Sequence, residues 1–355
     1  MKKILKAALC FVPFVLLVVL VNVYADPANV LRTGYEKQVA QILANGENAS
    51  NLSNMDDRTL MEIYAQMRTQ PIDTLVLGSS HSMQVTSEVT GDANTFCAGV
   101  TGADLRDCIS VYRLFKEKNF APKKVILVCD YWFLCEDTVE DRAMTDGYIE
   151  FCRENNFTAV GTSNIAIERA NQAFQKLSQA FSLPYFQSSV AYISKGLQKQ
   201  RAPVATAEFY TDTDMRRADG SYCYSAQFRD TVTYEADVDK RVSDVISVMP
   251  AEAREFTSVS PELSRQLSAF IAEMQADGAE VTLMLPPFHP AYYEYMLTQS
   301  AYAPILATQD VFEGVAKQQG ITPFGGYNPT ELGLDKYDFY DALHCSDAAV
   351  ARFYK

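Results

Sequence analysis

Two short segments near opposite ends of the chain contain the residue types that serine-dependent catalysis requires. Residues 78–82 read Gly-Ser-Ser-His-Ser and follow a short apolar run, and Asp341 precedes His344 by three residues. A serine hydroxyl becomes an effective nucleophile when a base removes its proton, and the base works best when a third group orients it. The sequence therefore predicts that Ser80, His344 and Asp341 act as nucleophile, base and orienting carboxylate.

The sequence leaves an alternative open for each of these residues. Ser80 could cap the helix that follows the strand, because serine is a favoured first residue of a helix, and the adjacent Ser79 could be the nucleophile instead. Asp341 and His344 are spaced by about one helical turn, which would place them on one face. They could also belong to a surface turn before the last helix. For each of these residues we expect the catalytic role.

Composition and charge limit the class of protein. The chain has 355 residues and a formal net charge of −13, and no run of Lys or Arg is longer than two residues. This balance argues against a nucleic-acid or polyphosphate ligand held by bulk positive charge. The eight cysteines form no Cys-x-x-Cys pair and show no metal-binding spacing. We therefore expect buried free thiols, no metal and no cofactor, with one disulfide as the alternative in an exported chain.

The first 25 residues form an apolar segment preceded by positive charge. Three lysines occur among the first six residues, and residues 7–24 carry no charge. A stretch of this length can just cross a bilayer as a helix, and the lysines favour a cytoplasmic N-terminus. We therefore expect a single-pass membrane anchor over residues 1–25, with the rest of the chain extracytoplasmic. A cleaved signal peptide ending at Ala25 is the alternative.

The remaining segments predict the elements that must position the site. Residues 26–70 read as a stalk and a first helix. Apolar runs with the length of buried strands alternate with helical spacing and occur at residues 73–77, 94–98, 123–129 and 279–285. This alternation predicts an α/β domain over residues 71–355 with a parallel sheet. Residues 136–257 interrupt the pattern, and we interpret them as an inserted cap of helices and a hairpin.

Three motifs, in this order, resemble those of the SGNH (GDSL-type) hydrolase superfamily. The 78–82 segment is similar to the first motif, residues 98–102 (Ala-Gly-Val-Thr-Gly) to the second, and residues 341–344 (Asp-Ala-Leu-His) to the last. The resemblance implies a three-layer, flavodoxin-like parallel sheet and the catalytic roles given above. It also implies that the backbone N–H groups of Ser80 and Gly102 hold the oxyanion.

The chain departs from the superfamily pattern at the oxyanion hole. Members usually have an Asn as a third donor after the third strand, where this chain has Asp130, Tyr131 and Trp132. An ionised carboxylate cannot donate a hydrogen bond, so either two backbone donors suffice or another group completes the hole. These three residues are candidates for substrate binding, as are His81 and His289; core aromatics and surface or loop histidines are the alternatives. No spacing favours a metal site from His81, His289 and Asp130.

One branch of the superfamily is more similar to this chain than the rest. It contains DltD-like and alginate O-acetylation proteins, and the shared features are Gly-Ser-Ser, the apolar N-terminus and the Pro-Pro-x-His at residues 286–289. The resemblance implies an acyl-serine intermediate, a cell-envelope polysaccharide or teichoic-acid-like acceptor, and a membrane-bound O-acyltransferase as donor partner. The alternatives are a hydrolytic carbohydrate or lipid esterase and a non-catalytic scaffold for the acyltransferase.

Overall fold

The computed structural model describes residues 2–116, 121–136, 146–160, 165–196 and 202–354. Within these ranges the helices are α1 Lys2–Ala25, α2 Tyr35–Ala44, α3 Asp57–Met67, α4 Ser87–Thr90, α5 Leu105–Lys116, α6 Asp146–Glu154, α7 Ile165–Gln179, α8 Leu183–Ser194, α9 Ala226–Arg229, α10 Glu235–Ser247, α11 Ala251–Glu255, α12 Pro261–Ala276, α13 Pro290–Thr298, α14 Ala303–Gln318 and α15 Asp347–Phe353. The strands are β1 Asn48–Ser50, β2 Thr74–Leu77, β3 Thr95–Cys97, β4 Lys124–Val128, β5 Val204–Thr206, β6 Met215–Arg216, β7 Tyr222–Cys223, β8 Glu280–Leu285 and β9 Phe324–Gly325. Short 3-10 helices at Ser80–Gln84 and Tyr131–Leu134 follow β2 and β4.

A parallel sheet forms the centre of the fold. Its five strands lie in the order β3-β2-β4-β8-β9, and each pair is parallel. Numbered along the chain, these strands have the order 2-1-3-4-5, which is the flavodoxin-like order. The α/β architecture with a parallel sheet is therefore as predicted. The strand order reverses between β2 and β4, and ligands of such sheets bind at the carboxyl ends of the strands that flank this point.

Helices cover both faces of this sheet because successive strand residues point to opposite sides. Leu75 and Leu127 belong to a large hydrophobic cluster that includes residues of α5, α12 and α14. Val76 and Ile126 face a smaller cluster covered by α15. All four side chains are fully buried, and each such burial stabilises the fold by about 1.5–3 kcal/mol. The near-continuous apolar runs seen in the sequence follow from this burial on two faces.

The segment before β2 and the insertion build a second, antiparallel sheet together. Its order is β5-β1-β6-β7, with Asn48 opposite Thr206. The β6–β7 hairpin turns at Asp219 and Gly220, within the insertion for which the sequence predicted a hairpin. The Cys97 N–H at the end of β3 donates to the Asp219 carbonyl at 2.6 Å. The hairpin is thereby attached to the edge of the central sheet.

The segment that we interpreted as a stalk is packed against the α/β domain. Helices α2 and α3 contact each other. Their buried residues, including Val39, Leu43 and Leu60, belong to the large hydrophobic cluster. Asp57, the first residue of α3, also reaches the candidate site, as described below.

The predicted membrane anchor requires a correction. In the part of the chain that the structure describes, no helix is long and apolar enough to cross a membrane. Helix α1 includes three lysines in its first turns and Pro13 in its interior, so its uncharged part is shorter than the helix itself. The predictions of a transmembrane helix, of a single-pass topology with an extracytoplasmic domain, and of membrane attachment through this helix are therefore wrong.

The cysteines whose side chains are described are all free and buried, at positions 97, 108, 129, 135, 152, 223 and 345. Burial raises the pKa of the Cys97 thiol to about 11. A thiol with such a pKa is almost wholly protonated near neutral pH and is a poor nucleophile. Cys97, which lies at the end of the strand next to β2, is therefore not a rival to the serine hydroxyls.

Gly78 ends β2 in a conformation that other residues rarely adopt. Its φ is +149°, and a Cβ placed there would lie 2.9 Å from Val128 Cβ and 3.0 Å from Ser82 Cβ. We expect Gly78→Ala to lower the free energy of unfolding by about 2–5 kcal/mol, because backbone strain and overpacking add. Gly91→Ala is the matched control, with φ +67° and no atom within 4 Å of the added Cβ, and should cost only about 1–2 kcal/mol. Urea unfolding of both variants measures the difference, and equal losses would contradict the steric explanation.

Candidate active site

Ser79 and Ser80 have different environments although they are adjacent. Ser79 caps the 3-10 helix after β2, and its Oγ accepts a hydrogen bond from the His81 N–H at 3.2 Å. Ser79 is fully buried, whereas Ser80 is partly exposed. The capping role that the sequence left open for Ser80 therefore belongs to Ser79. The Ser80 hydroxyl remains available at the carboxyl end of β2.

The structure brings Ser80, His344 and Asp341 together. Ser80 Oγ lies 2.8 Å from His344 Nε2, although the two residues are 264 positions apart. The other ring nitrogen, His344 Nδ1, lies 3.0 and 2.9 Å from the two carboxylate oxygens of Asp341. When Nδ1–H donates to this carboxylate, Nε2 is left as a hydrogen-bond acceptor for the hydroxyl. The arrangement allows the hydroxyl proton to pass to the ring as the oxygen attacks a carbonyl carbon.

Backbone hydrogen bonds fix the loop that carries the base. The Leu343 and His344 N–H groups both donate to Asp341 Oδ1 at 2.8 Å. The Tyr340 N–H donates to the His344 carbonyl at 2.8 Å. These bonds close the loop on itself, so the distance between carboxylate and imidazole depends little on side-chain rotation. Such preorganisation lowers the entropy cost of reaching the reactive geometry.

His289, which the sequence offered as a substrate-binding residue, lies beneath this loop. It is 3 % exposed, its Nδ1 accepts a hydrogen bond from the Ala291 N–H at 3.2 Å, and its own N–H donates to the Ala342 carbonyl at 3.0 Å. Its ring packs edge-on against Phe339. His289 is therefore a buried residue that supports the loop from the end of β8.

The charges of the pair shift both pKa values. Burial alone lowers the pKa of His344, but the Asp341 carboxylate, its hydrogen bond and the more distant Asp130 outweigh burial and hold this pKa above the ordinary 6.5. Burial likewise favours a raised pKa for Asp341, but the His344 charge and hydrogen bond, with the Leu343 and His344 N–H groups, hold it far below 3.8. Asp341 therefore remains ionised throughout the neutral range, as an orienting group must.

The raised pKa of His344 predicts the pH dependence of activity. Because the neutral ring must accept the hydroxyl proton, kcat/KM should rise with pH through an apparent pKa above 6.5. The same shift stabilises the fold fully below pH 6.5, and this contribution is lost as the pH rises through the folded-state pKa. Ester hydrolysis measured from pH 5 to 9 tests the first statement. An acidic limb centred at or below 6.5 would contradict it.

Buried polar groups hold the loop that contains Gly102. The Thr101 N–H and Oγ1 donate to Asp57 Oδ2 at 3.0 and 2.6 Å. Arg216, which is fully buried, donates from Nη2 to the Gly99 carbonyl at 2.7 Å, and its Nη1 lies 3.6 Å from Asp57 Oδ1. The first turn of α3 and strand β6 of the insertion therefore fix this loop from two sides. Sequence reasoning missed Asp57 and Arg216, since no motif marks either residue.

The two predicted backbone donors have no hydrogen-bond acceptor among the described residues. In the part of the chain described, neither the Ser80 N–H nor the Gly102 N–H donates a hydrogen bond. Gly102 has φ +65°. The two loops are in close contact, because a Cβ on Gly99 would lie 2.3 Å from Ser82 Oγ. Only a glycine at position 99 therefore allows the Gly102 loop to approach the nucleophile turn this closely.

The residues that follow β4 lie in different environments. Asp130 is 1 % exposed and its Oδ1 is hydrogen-bonded to Nδ1 of His81, which is 6 % exposed. Tyr131 is buried and packs on Phe256, so it belongs to the core. Trp132 is partly exposed, and its ring centroid lies 5.6 Å from that of His81. Among the described residues, no group of His, Cys, Asp and Glu is arranged to hold a metal ion.

The insertion contributes an aromatic residue that sequence reasoning did not identify. Tyr224, just after β7, is partly exposed, and its ring centroid lies 6.3 Å from that of His344. It packs against Tyr222 and Tyr340 at 5.0 and 5.4 Å. The two histidines are therefore bordered by Trp132 and by Tyr224. In the sequence, only the aromatic residues of the insertion could have indicated such a contact, and they did not single out Tyr224.

A scan against protein-family models finds no match to this chain, and a search of curated proteins finds none either.

Proposed function

We propose that this chain is a serine-dependent acyl hydrolase or acyltransferase that forms an ester on Ser80. The observation that supports this proposal most strongly is the 2.8 Å distance between Ser80 Oγ and His344 Nε2, with Asp341 on the opposite ring nitrogen. The free backbone N–H groups of Ser80 and Gly102 add the donors that a tetrahedral oxyanion needs. The resemblance to SGNH hydrolases is consistent with this chemistry.

The reaction proceeds in two balanced steps. Ser80 Oγ attacks the acyl carbon while its proton passes to His344 Nε2, and the resulting imidazolium returns that proton to the leaving alkoxide as its C–O bond breaks. An acyl-Ser80 ester and a free alcohol result. An acceptor hydroxyl then attacks the ester carbon, gives its proton to Nε2, and Ser80 regains a proton as it leaves. Water as acceptor gives hydrolysis, and a sugar hydroxyl gives transfer.

The surroundings of the histidines support a glycan as the acceptor or substrate. Trp132 and Tyr224 are both partly exposed and border the histidine rings. Aromatic rings with a polar edge bind amphipathic ligands, and sugar rings present apolar faces of that kind. The formal charge of −13 favours a neutral glycan over a phosphate-rich polymer. By the resemblance, a membrane-bound O-acyltransferase is the proposed acyl donor.

Turnover of p-nitrophenyl acetate tests this proposal. The wild-type chain should release p-nitrophenol in a burst followed by a slower steady rate, and Ser80→Ala should abolish both. If the acceptor is a sugar, adding a neutral oligosaccharide should raise the steady rate and yield an O-acetylated product. Indifference to the oligosaccharide would indicate an esterase. Release that does not depend on Ser80 would overturn the proposed function and favour a scaffold.

A further inference from the structure

A second His–Asp pair lies beside the first. The ring of His81, the residue after the nucleophile, is hydrogen-bonded through Nδ1 to Asp130 Oδ1. Its centroid lies 4.8 Å from that of His344, with the rings edge to face. In the described part of the chain, His81 Nε2 takes part in no hydrogen bond. A polar ring atom of His81 therefore remains unused beside the ring of the proposed base.

Asp130 lies in an environment that makes an unbalanced charge costly. Asp130 is almost fully buried, and its second oxygen, Oδ2, has no hydrogen-bond partner among the described residues. A buried carboxylate with one partner is costly unless the partner balances its charge. The pair is electrically neutral either as imidazolium with carboxylate or as neutral imidazole with carboxylic acid. His81 Nε2 carries a hydrogen and is a donor when the ring is an imidazolium, and also when the ring is neutral and its Nδ1 accepts the hydrogen of an Asp130 carboxylic acid.

We propose that His81, held by Asp130, donates its Nε2–H to the oxyanion that forms when Ser80 attacks an acyl group. This inference rests on the proposed function. It explains why a carboxylate, which cannot itself donate, occupies position 130: it orients and balances the histidine that does. The negatively charged form of the pair would instead place a lone pair and a net charge beside the developing oxyanion, which opposes the reaction.

Two variants of matched length isolate the donated hydrogen. His81→Gln keeps an N–H near the position of Nε2, whereas His81→Met has a similar length and no donor. Both remove the ring nitrogen Nδ1 that contacts Asp130, so urea unfolding of the two variants shows how far the loss of that contact differs between them. We expect His81→Met to lower kcat/KM for p-nitrophenyl acetate by about 10²–10³-fold relative to the wild type, as loss of one oxyanion donor does elsewhere. His81→Gln should stay within about tenfold of the wild type.

The outcomes separate this inference from the function on which it depends. Equal activity of the two variants, with urea unfolding showing both folded, would mean that His81 has only a structural role and would overturn the inference. If Ser80-dependent turnover is absent from the wild type, the proposed function is overturned, and the inference about His81 is overturned with it. If that turnover is present but His81→Met matches the wild type, only the role of His81 fails.

A structure of the wild-type chain inhibited with a fluorophosphonate gives a test that needs no variant. The phosphonyl group on Ser80 places its oxygen where the oxyanion would lie. We expect that oxygen about 2.7–3.1 Å from His81 Nε2. A separation above about 4 Å, with the oxygen bound by the backbone N–H groups alone, would overturn the inference.

Discussion

Replacing Ser80 or His344 with alanine should reduce ester turnover by about 10⁴–10⁶-fold. Each change removes a group that takes part in the reaction itself, since Ser80 Oγ receives the acyl group and His344 Nε2 moves the proton across 2.8 Å. The double variant should be no less active than either single variant, because the two residues act as a unit. Steady-state hydrolysis of p-nitrophenyl acetate measures the effect.

A remote serine provides the control for this prediction. Ser188→Ala removes an exposed hydroxyl that donates to the Pro184 carbonyl of its own helix, and the activity of this variant should equal that of the wild type. Urea unfolding must show that Ser80→Ala and His344→Ala remain folded. Retained turnover in either folded variant would show that the hydroxyl and the imidazole do not form a catalytic unit.

Replacing Asp341 with asparagine should lower kcat by about 10⁴-fold. The amide can still accept the Leu343 and His344 N–H groups, so the loop should keep its shape, but it no longer holds the Nδ1–H tautomer by charge. Because the carboxylate also raises the pKa of His344, the acidic limb of the residual activity should move to lower pH. The pH profile of kcat/KM measures both effects.

Asp310→Asn is the control for Asp341→Asn. It makes the same change of charge at an exposed position of α14, outside the loop that carries Asp341 and His344. This variant should change neither kcat nor the acidic limb of the pH profile. If Asp341→Asn were as active as this control, Asp341 would have no orienting role. If its acidic limb stayed in place, the charge of Asp341 would not control the base.

Much of the central sheet could be predicted because buried parallel strands are continuous apolar runs. Strands β2, β4 and β8 lie within the runs identified at residues 73–77, 123–129 and 279–285. Strand β9, Phe324–Gly325, could not be predicted, since two residues have no periodicity. The N-terminal helix was predicted in the right place, but its interpretation as a membrane span was wrong, because apolar length alone decided that interpretation.

Parts of the site depend on contacts that no local pattern reveals. Arg216 lies on β6, which pairs with β1 of the segment before β2. Strand β1 also pairs with β5 of the insertion. These pairings bring Arg216 to the loop that contains Gly102. The pairing of His81 with Asp130 arises because both residues follow neighbouring strands of the sheet. Residue types suggested that His81 and Asp130 are functional, but only the fold shows that they are partners.

The central claim is that Ser80 itself receives the acyl group. Rapid acid quenching during turnover of p-nitrophenyl acetate, followed by peptide mass spectrometry, locates the group directly. We expect the mass of one acetyl group on the peptide that contains residues 78–82, with fragment ions assigning it to Ser80 and not to Ser79 or Ser82. The modification should be absent from His344→Ala. An acetyl group on another residue, or none at all while turnover continues, would contradict the account.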